Sequence, residues 1–206
     1  MFKSLHKTFA FIVIFTLALA VPGAMAVAPP TDVAKQVINR ALGILNDPAL
    51  AGPAQKNRRF QMVKEIVDRH FDYREMAKRS LGPTWGKLSG AQRDEFVRIF
   101  GELLEASYAD KIDRYAKHVR IDYTGESLDG EYAEVRTMVV RPNDRIPLNY
   151  RLLNESGTWR VYDVVIEGVS LVGNYRSQFS RIISESSYAE LVKRLRTKLD
   201  EQRKGA

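Results

Sequence analysis

Hydrophobic positions along the first half of the chain recur every three to four residues, the period of a helix with one buried face. Val33, Val37, Ala41, Ile44 and Leu45 keep that spacing, and Thr31 stands where a cap belongs. Asp47-Pro48 and Gly52-Pro53 bound a loop before a second helical row through Phe60, Val63, Ile66, Val67 and His70. Asp72 is placed to cap a short helix that carries Met76 and stops at Gly82-Pro83. Ser89-Gly-Ala-Gln92 has the form of a capping box. It opens the longest row, with Phe96, Ile99, Phe100, Leu103, Leu104, Tyr108, Ile112 and Tyr115 on one face.

After Val119 the period drops to two. Ile121–Glu126, Tyr132–Arg141, Arg145–Leu153 and Thr158–Glu167 read as four strands, with turn residues at Asp129-Gly130, 141–144 and 154–157. Such short turns imply an antiparallel meander. Ala133, Val135, Thr137 and Val139 share a face of the second strand; Ile146, Leu148, Tyr150 and Leu152 share one of the third. In the fourth, Trp159, Val161 and Val165 oppose Tyr162, Val164 and Ile166, so both faces are apolar and the strand should be internal. Helical spacing returns in Leu171–Ile183 and Tyr188–Leu199. The fold class is α+β: a curved four-stranded antiparallel sheet wrapped by helices from both termini, its apolar residues either filling an ordinary core or enclosing an apolar pocket, two outcomes that periodicity does not separate.

The amino terminus changes how composition is read. Lys3 and Lys7 precede an apolar stretch of thirteen residues, Phe9–Val21, followed by Pro22-Gly23 and the small residues Ala24-Met25-Ala26. Thirteen is short of the ~20 residues that span a bilayer. The pattern is that of a secretory signal peptide, residues 1–26, cleaved after Ala26. Residues 27–206 then form a single exported domain, and the net charge of +7 falls to +5 as Lys3 and Lys7 leave. A basic surface of that kind suits an acidic docking partner or anionic lipid.

Candidate chemistry is sparse. The chain has no cysteine and 3 histidines, which removes disulfides, thiolate metal sites and cysteine nucleophiles, and leaves no spacing for a histidine metal site. Gly168-Val-Ser-Leu-Val-Gly173 mimics both a nucleophile elbow and a phosphate loop. The second glycine is one place late for the first, and Asn174-Tyr175 replaces Lys-Ser/Thr in the second, so Ser170 reads as a helix cap. Asp163 is the mid-strand carboxylate that an isomerase or hydrolase could use, although pairing with an arginine explains it better. Basic residues do not alternate with aromatics, which argues against nucleic acid. No catalytic residue, metal or cofactor is assigned.

The order Phe71-Asp72, Met76, Leu81-Gly82-x-x-Trp85, Gln92, Phe96, Phe100, Leu103-Leu104, Tyr108 resembles the MlaC family. So does the string from Trp159 through Asp163-Val164-x-Ile166-Glu167-Gly168-Val-Ser170 to Asn174-Tyr175-Arg176-x-x-Phe179. The resemblance runs from about Lys56 to Leu199, and hopanoid-associated relatives share its outline. It implies a periplasmic phospholipid-binding protein, the toluene-tolerance auxiliary component of an ABC transporter. Such a carrier holds acyl chains between a curved sheet and helices and performs no chemistry on them. It exchanges phospholipid with an outer-membrane lipoprotein–porin complex and with an inner-membrane ABC transporter through a membrane-anchored subunit, maintaining outer-membrane lipid asymmetry.

On that basis Phe100, Leu104, Val135, Val139, Leu148, Tyr150, Val161 and Ile166 are expected to line the lipid pocket, with Asn174 and Arg176 near the headgroup. The protein is expected to act as a monomer with bound phospholipid as its ligand. Two alternatives stay open: an apolar-ligand-binding or structural envelope protein, and an enzyme built around Asp163.

Overall fold

The computed structural model describes residues 28–115 and 119–204, with backbone alone at 110, 111 and 113–115. The export signal at residues 1–26 and the side chains of Tyr115 and His118 lie outside the described residues. Five helices come first: α1 (Pro30–Leu45), α2 (Lys56–His70), α3 (Tyr73–Leu81), the single turn α4 (Thr84–Lys87) and α5 (Gly90–Tyr115). The sheet follows as β1 (Arg120–Asp129), β2 (Tyr132–Arg141), β3 (Asp144–Glu155), β4 (Thr158–Ile166) and β5 (Val169–Ser170), and α6 (Leu171–Glu185) and α7 (Tyr188–Lys204) close the chain.

Local chemistry sets most helix starts. The Asp72 carboxylate accepts the Glu75 N–H at 2.8 Å. Ser89 and Gln92 cap each other reciprocally, at 2.9 and 3.3 Å. Ser170 Oγ accepts the Gly173 N–H at 2.9 Å. Thr31 behaves differently from its sequence reading. Pro29 holds the cap position with Pro30 behind it, and Thr31 instead donates its N–H and hydroxyl to Glu126 of β1 at 2.8 and 2.5 Å.

The strands pair in chain order, β1-β2-β3-β4-β5, all antiparallel. The count is five where the sequence suggests four: β5 has two residues, too few to show a period, and pairs Val165 with Ser170. The turn at Glu167 and Gly168, both at positive φ, makes that return possible. In β1 the register slips between Tyr123 and Gly125. A Cβ on Gly125 would stand 2.7 Å from an Arg136 guanidinium nitrogen, so glycine lets Arg136 cross there.

A second slip, between Arg151 and Leu152 of β3, changes β4 more. Leu152 faces Val161, but Arg151 faces Asp163, so Tyr162 is an extra residue in β4. Strict alternation would put Trp159 and Val161 on one face and Val164 and Ile166 on the other. The bulge puts all four on the same face and turns Tyr162 the other way.

Two apolar clusters form on either side of this sheet. On one side α1 packs Val33, Ala34 and Ile38 onto Ala133, Val135, Leu152, Trp159 and Val161. On the other, α3, α5, α6 and α7 build a helical core around Met76, Phe96, Phe100, Phe179 and Leu191, which meets the sheet at Leu153 and Tyr162. Phe96 and Phe100 stack at 5.9 Å, and Phe100 meets Tyr175 edge-on at 5.2 Å.

Candidate functional site

The sheet face beneath α1 is built from residues directly opposite one another. Val135 faces Tyr150, Tyr150 faces Val164, Thr137 faces Leu148, and Leu148 faces Ile166. Val139 stands two residues beyond Thr137 on the same side, and Val161 lies across from Leu152. Six of the eight residues expected at a pocket thus share one surface. From β2 to β4 the charged side chains of this face are confined to its hairpin end, where Arg141 stands opposite Asp144. The reverse face is polar: Arg151 bridges Glu134 at 3.1 Å and Asp163 at 3.3 Å.

Phe100 and Leu104 are not on that surface. Both are buried in the helical core on the far side of the sheet. Helical spacing shows that a row is buried; it cannot show against which layer. The α5 row faces α3, α6 and α7, so the wall opposite the sheet comes from α1, whose Val33, Ala34, Val37 and Ile38 line the space. His70 and Phe71 close one side of it, and Leu152 and Trp159 contribute from the sheet. The 3.6-residue period of α1 marks Val33 and Val37 but not Ala34 and Ile38, and the sequence carries no signal pairing any of them with the sheet. Phe71 reaches the site because it bridges to Val161, with the Asp72 N–H given to the Val161 carbonyl at 2.8 Å.

The void between α1 and the sheet measures about 20 Å³, room for one water molecule. Two contacts pin the start of α1 across it. One is the Thr31–Glu126 pair; the other is the Trp159 indole N–H, donated to the Ala28 carbonyl at 3.1 Å. Toward the far end of α1, buried Arg59 donates to the carbonyls of Leu50 and Gly52 at 2.6 and 3.0 Å.

Titratable groups around the site are few. Burial, then the charges of Arg69, Arg40 and Arg160, hold His70 below its ordinary value. Burial pushes the Tyr123 phenol up to about 12, and burial with the neighbouring Tyr123 raises Tyr150 as well. Asp163, the candidate base, is fully engaged. Its carboxylate accepts Ser170 Oγ–H at 2.6 Å, Val172 N–H at 3.0 Å and Arg151 at 3.3 Å. That geometry ties the start of α6 to β4 and points away from α1. Asn174 and Arg176 also lie on the helical side, where Arg176 packs against Gly82 at the end of α3. Among the described residues no group of three His, Cys, Asp or Glu could hold a metal ion.

A family model described as MlaC protein matches residues 35–197. The chain belongs to the MlaC family. The match begins inside α1, just after Val33 and Ala34, and ends inside α7, so it takes in the whole sheet and most of both layers that flank it. The MlaC binding protein of the intermembrane phospholipid transport system of Haemophilus influenzae is 28% identical over 120 residues, 56% of each chain. The chain therefore spans little more than half the length of that relative. The phospholipid-binding protein from Ralstonia solanacearum, solved in complex with a phospholipid, has a TM-score of 0.76 at 23% identity, covering 85% of this chain and 99% of that one. At that identity the likeness is one of fold, and it includes a curved sheet wrapped by helices.

Proposed function

We propose that this MlaC-family chain is a periplasmic phospholipid carrier that binds lipid without altering it. It shuttles the lipid between an outer-membrane lipoprotein–porin complex and an inner-membrane ABC transporter, and so maintains outer-membrane lipid asymmetry. Residues 1–26 serve as its export signal, and residues 27–206 work as one lipid-binding domain in a monomer. Among the described residues no helix is long and apolar enough to cross a membrane.

One observation carries this reading: an apolar sheet face from β2 to β4, charged only at its Arg141–Asp144 end, with α1 packed over it on the side away from the main core. The relatives supply the ligand class, since one belongs to a phospholipid transport system and another holds a phospholipid. Val135, Val139, Leu148, Tyr150, Val161 and Ile166 are the residues that would meet acyl chains. A ligand site usually measures ~300–1,000 Å³, far above the void beneath α1, so α1 and the sheet part to admit them. The helical core does not depend on that contact.

The energetics explain why such a carrier needs docking partners. Two chains of ~15 methylenes, at ~0.8 kcal/mol each, hide on the order of 24 kcal/mol of unfavourable hydration. Release into water is correspondingly slow, and transfer proceeds through a docked, dry path. Leu148 is half-buried at the middle of the proposed surface. Leu148→Asp should place a charge against the chains and reduce phospholipid uptake from vesicles at least about tenfold, with the variant's circular dichroism unchanged. Uptake equal to the parent protein would contradict the proposed surface.

A further inference from the structure

A buried polar atom on the apolar sheet face is unaccounted for. Tyr123 stands on β1 opposite Thr137 and packs into the cluster beneath α1. Its hydroxyl is buried and has no hydrogen-bond partner among the described residues. Three other polar groups on the same face are matched: the Thr137 hydroxyl donates to the Leu148 carbonyl, Trp159 donates to Ala28, and Glu126 accepts from Thr31. An unpaired hydroxyl in an apolar layer is unfavourable, and a fold keeps one when something supplies the partner.

The position of Tyr123 limits what that partner is. The exposed Lys35 of α1 holds its ammonium 5.3 Å from the Tyr123 ring centroid, so one side of the ring borders water. The hydroxyl, in contrast, is shielded. Burial keeps the phenol protonated, hence a donor, throughout the physiological range. A group that meets it must be an uncharged acceptor lying just below the solvent boundary and above the hydrocarbon. In a phospholipid, that depth belongs to the acyl ester carbonyls at the glycerol junction. A phosphate, being charged, would stay on the water side with Lys35.

We propose that Tyr123 is a specificity-determining residue that donates its hydroxyl to an acyl ester carbonyl of the bound lipid, fixing the depth of the glycerol junction. The proposal rests on the phospholipid-carrier reading and adds to it a linkage preference: ester over ether.

The delipidated full-length protein is incubated with vesicles containing equal amounts of a diester and a diether phosphatidylglycerol of the same chain length, and the bound lipid is extracted and weighed by mass spectrometry. The parent protein should enrich the diester about fivefold, the worth of one net hydrogen bond. Tyr123→Phe, which removes a single oxygen, should bring the ratio to about one. A parent ratio near one overturns the proposal, and does so even if the variant fails to fold. A variant that keeps the parent's enrichment also overturns it. If Tyr123→Phe lowers uptake of both lipids equally, the hydroxyl meets the phosphate and the ester assignment is wrong. Failure of the parent to take up either lipid would instead remove the carrier reading itself.

Discussion

His70 ends α2 beside the void, half-buried among Arg69, Arg40 and Arg160. Burial and those charges disfavour its protonated form, so its folded pKa lies below the unfolded value of about 6.5. The unfolded chain then binds more protons than the folded one at mildly acidic pH. The stability that neutral His70 contributes is present above about pH 6.5 and is lost as the pH falls through that value. The fall in Tm between about pH 7.5 and 5.5 should therefore be larger in the parent protein than in His70→Gln. Equal falls would show that the histidine does not titrate differently on folding. At this scale the sequence is legible where partners are close along the chain. Asp72, Ser89 and Ser170 each cap a helix within three residues. Thr31 is misread because its acceptor, Glu126, lies 95 residues away. Asp163 is open to both an enzymatic and a structural reading until the bonds from Ser170, Val172 and Arg151 are seen to engage both of its oxygens.

Between elements, the decisive features are the β4 bulge and the choice of layer for α5. Period-two alternation finds the strands and their apolar faces, and the short turns find the meander. One extra residue, Tyr162, then reverses the second half of β4, which no local pattern announces. Phe100 shows the complementary difficulty: its row is deeply buried, as the spacing says, but buried against other helices. The role of α1 follows from the same geometry. It is the only roof among the described residues over the central apolar face, and Glu126 grips its first turn through two bonds to a carboxylate. Glu126→Ala should free that turn without disturbing the helical core. Amide hydrogen exchange in residues 30–45 should accelerate at least about fivefold, and lipid exchange with vesicles should accelerate with it, while exchange in α5 and α6 stays as in the parent. Unchanged protection of α1 would mean that Glu126 does not hold the roof closed.

For the whole molecule, the separation of the two clusters is what makes a carrier feasible. The helical core lies on one side of the sheet and the smaller cluster on the other, so the carrier proposal asks only the smaller one to open. The charge of +5 on residues 27–206 suits contact with anionic lipid or an acidic docking surface. The central claim is that this apolar face holds a phospholipid. Native mass spectrometry of the protein, exported in cells and purified without delipidation, tests it most directly. The mass should exceed that of the mature chain by one phospholipid, which solvent extraction removes and incubation with vesicles restores. A bare chain at full yield, with no mass gained from vesicles, would contradict it.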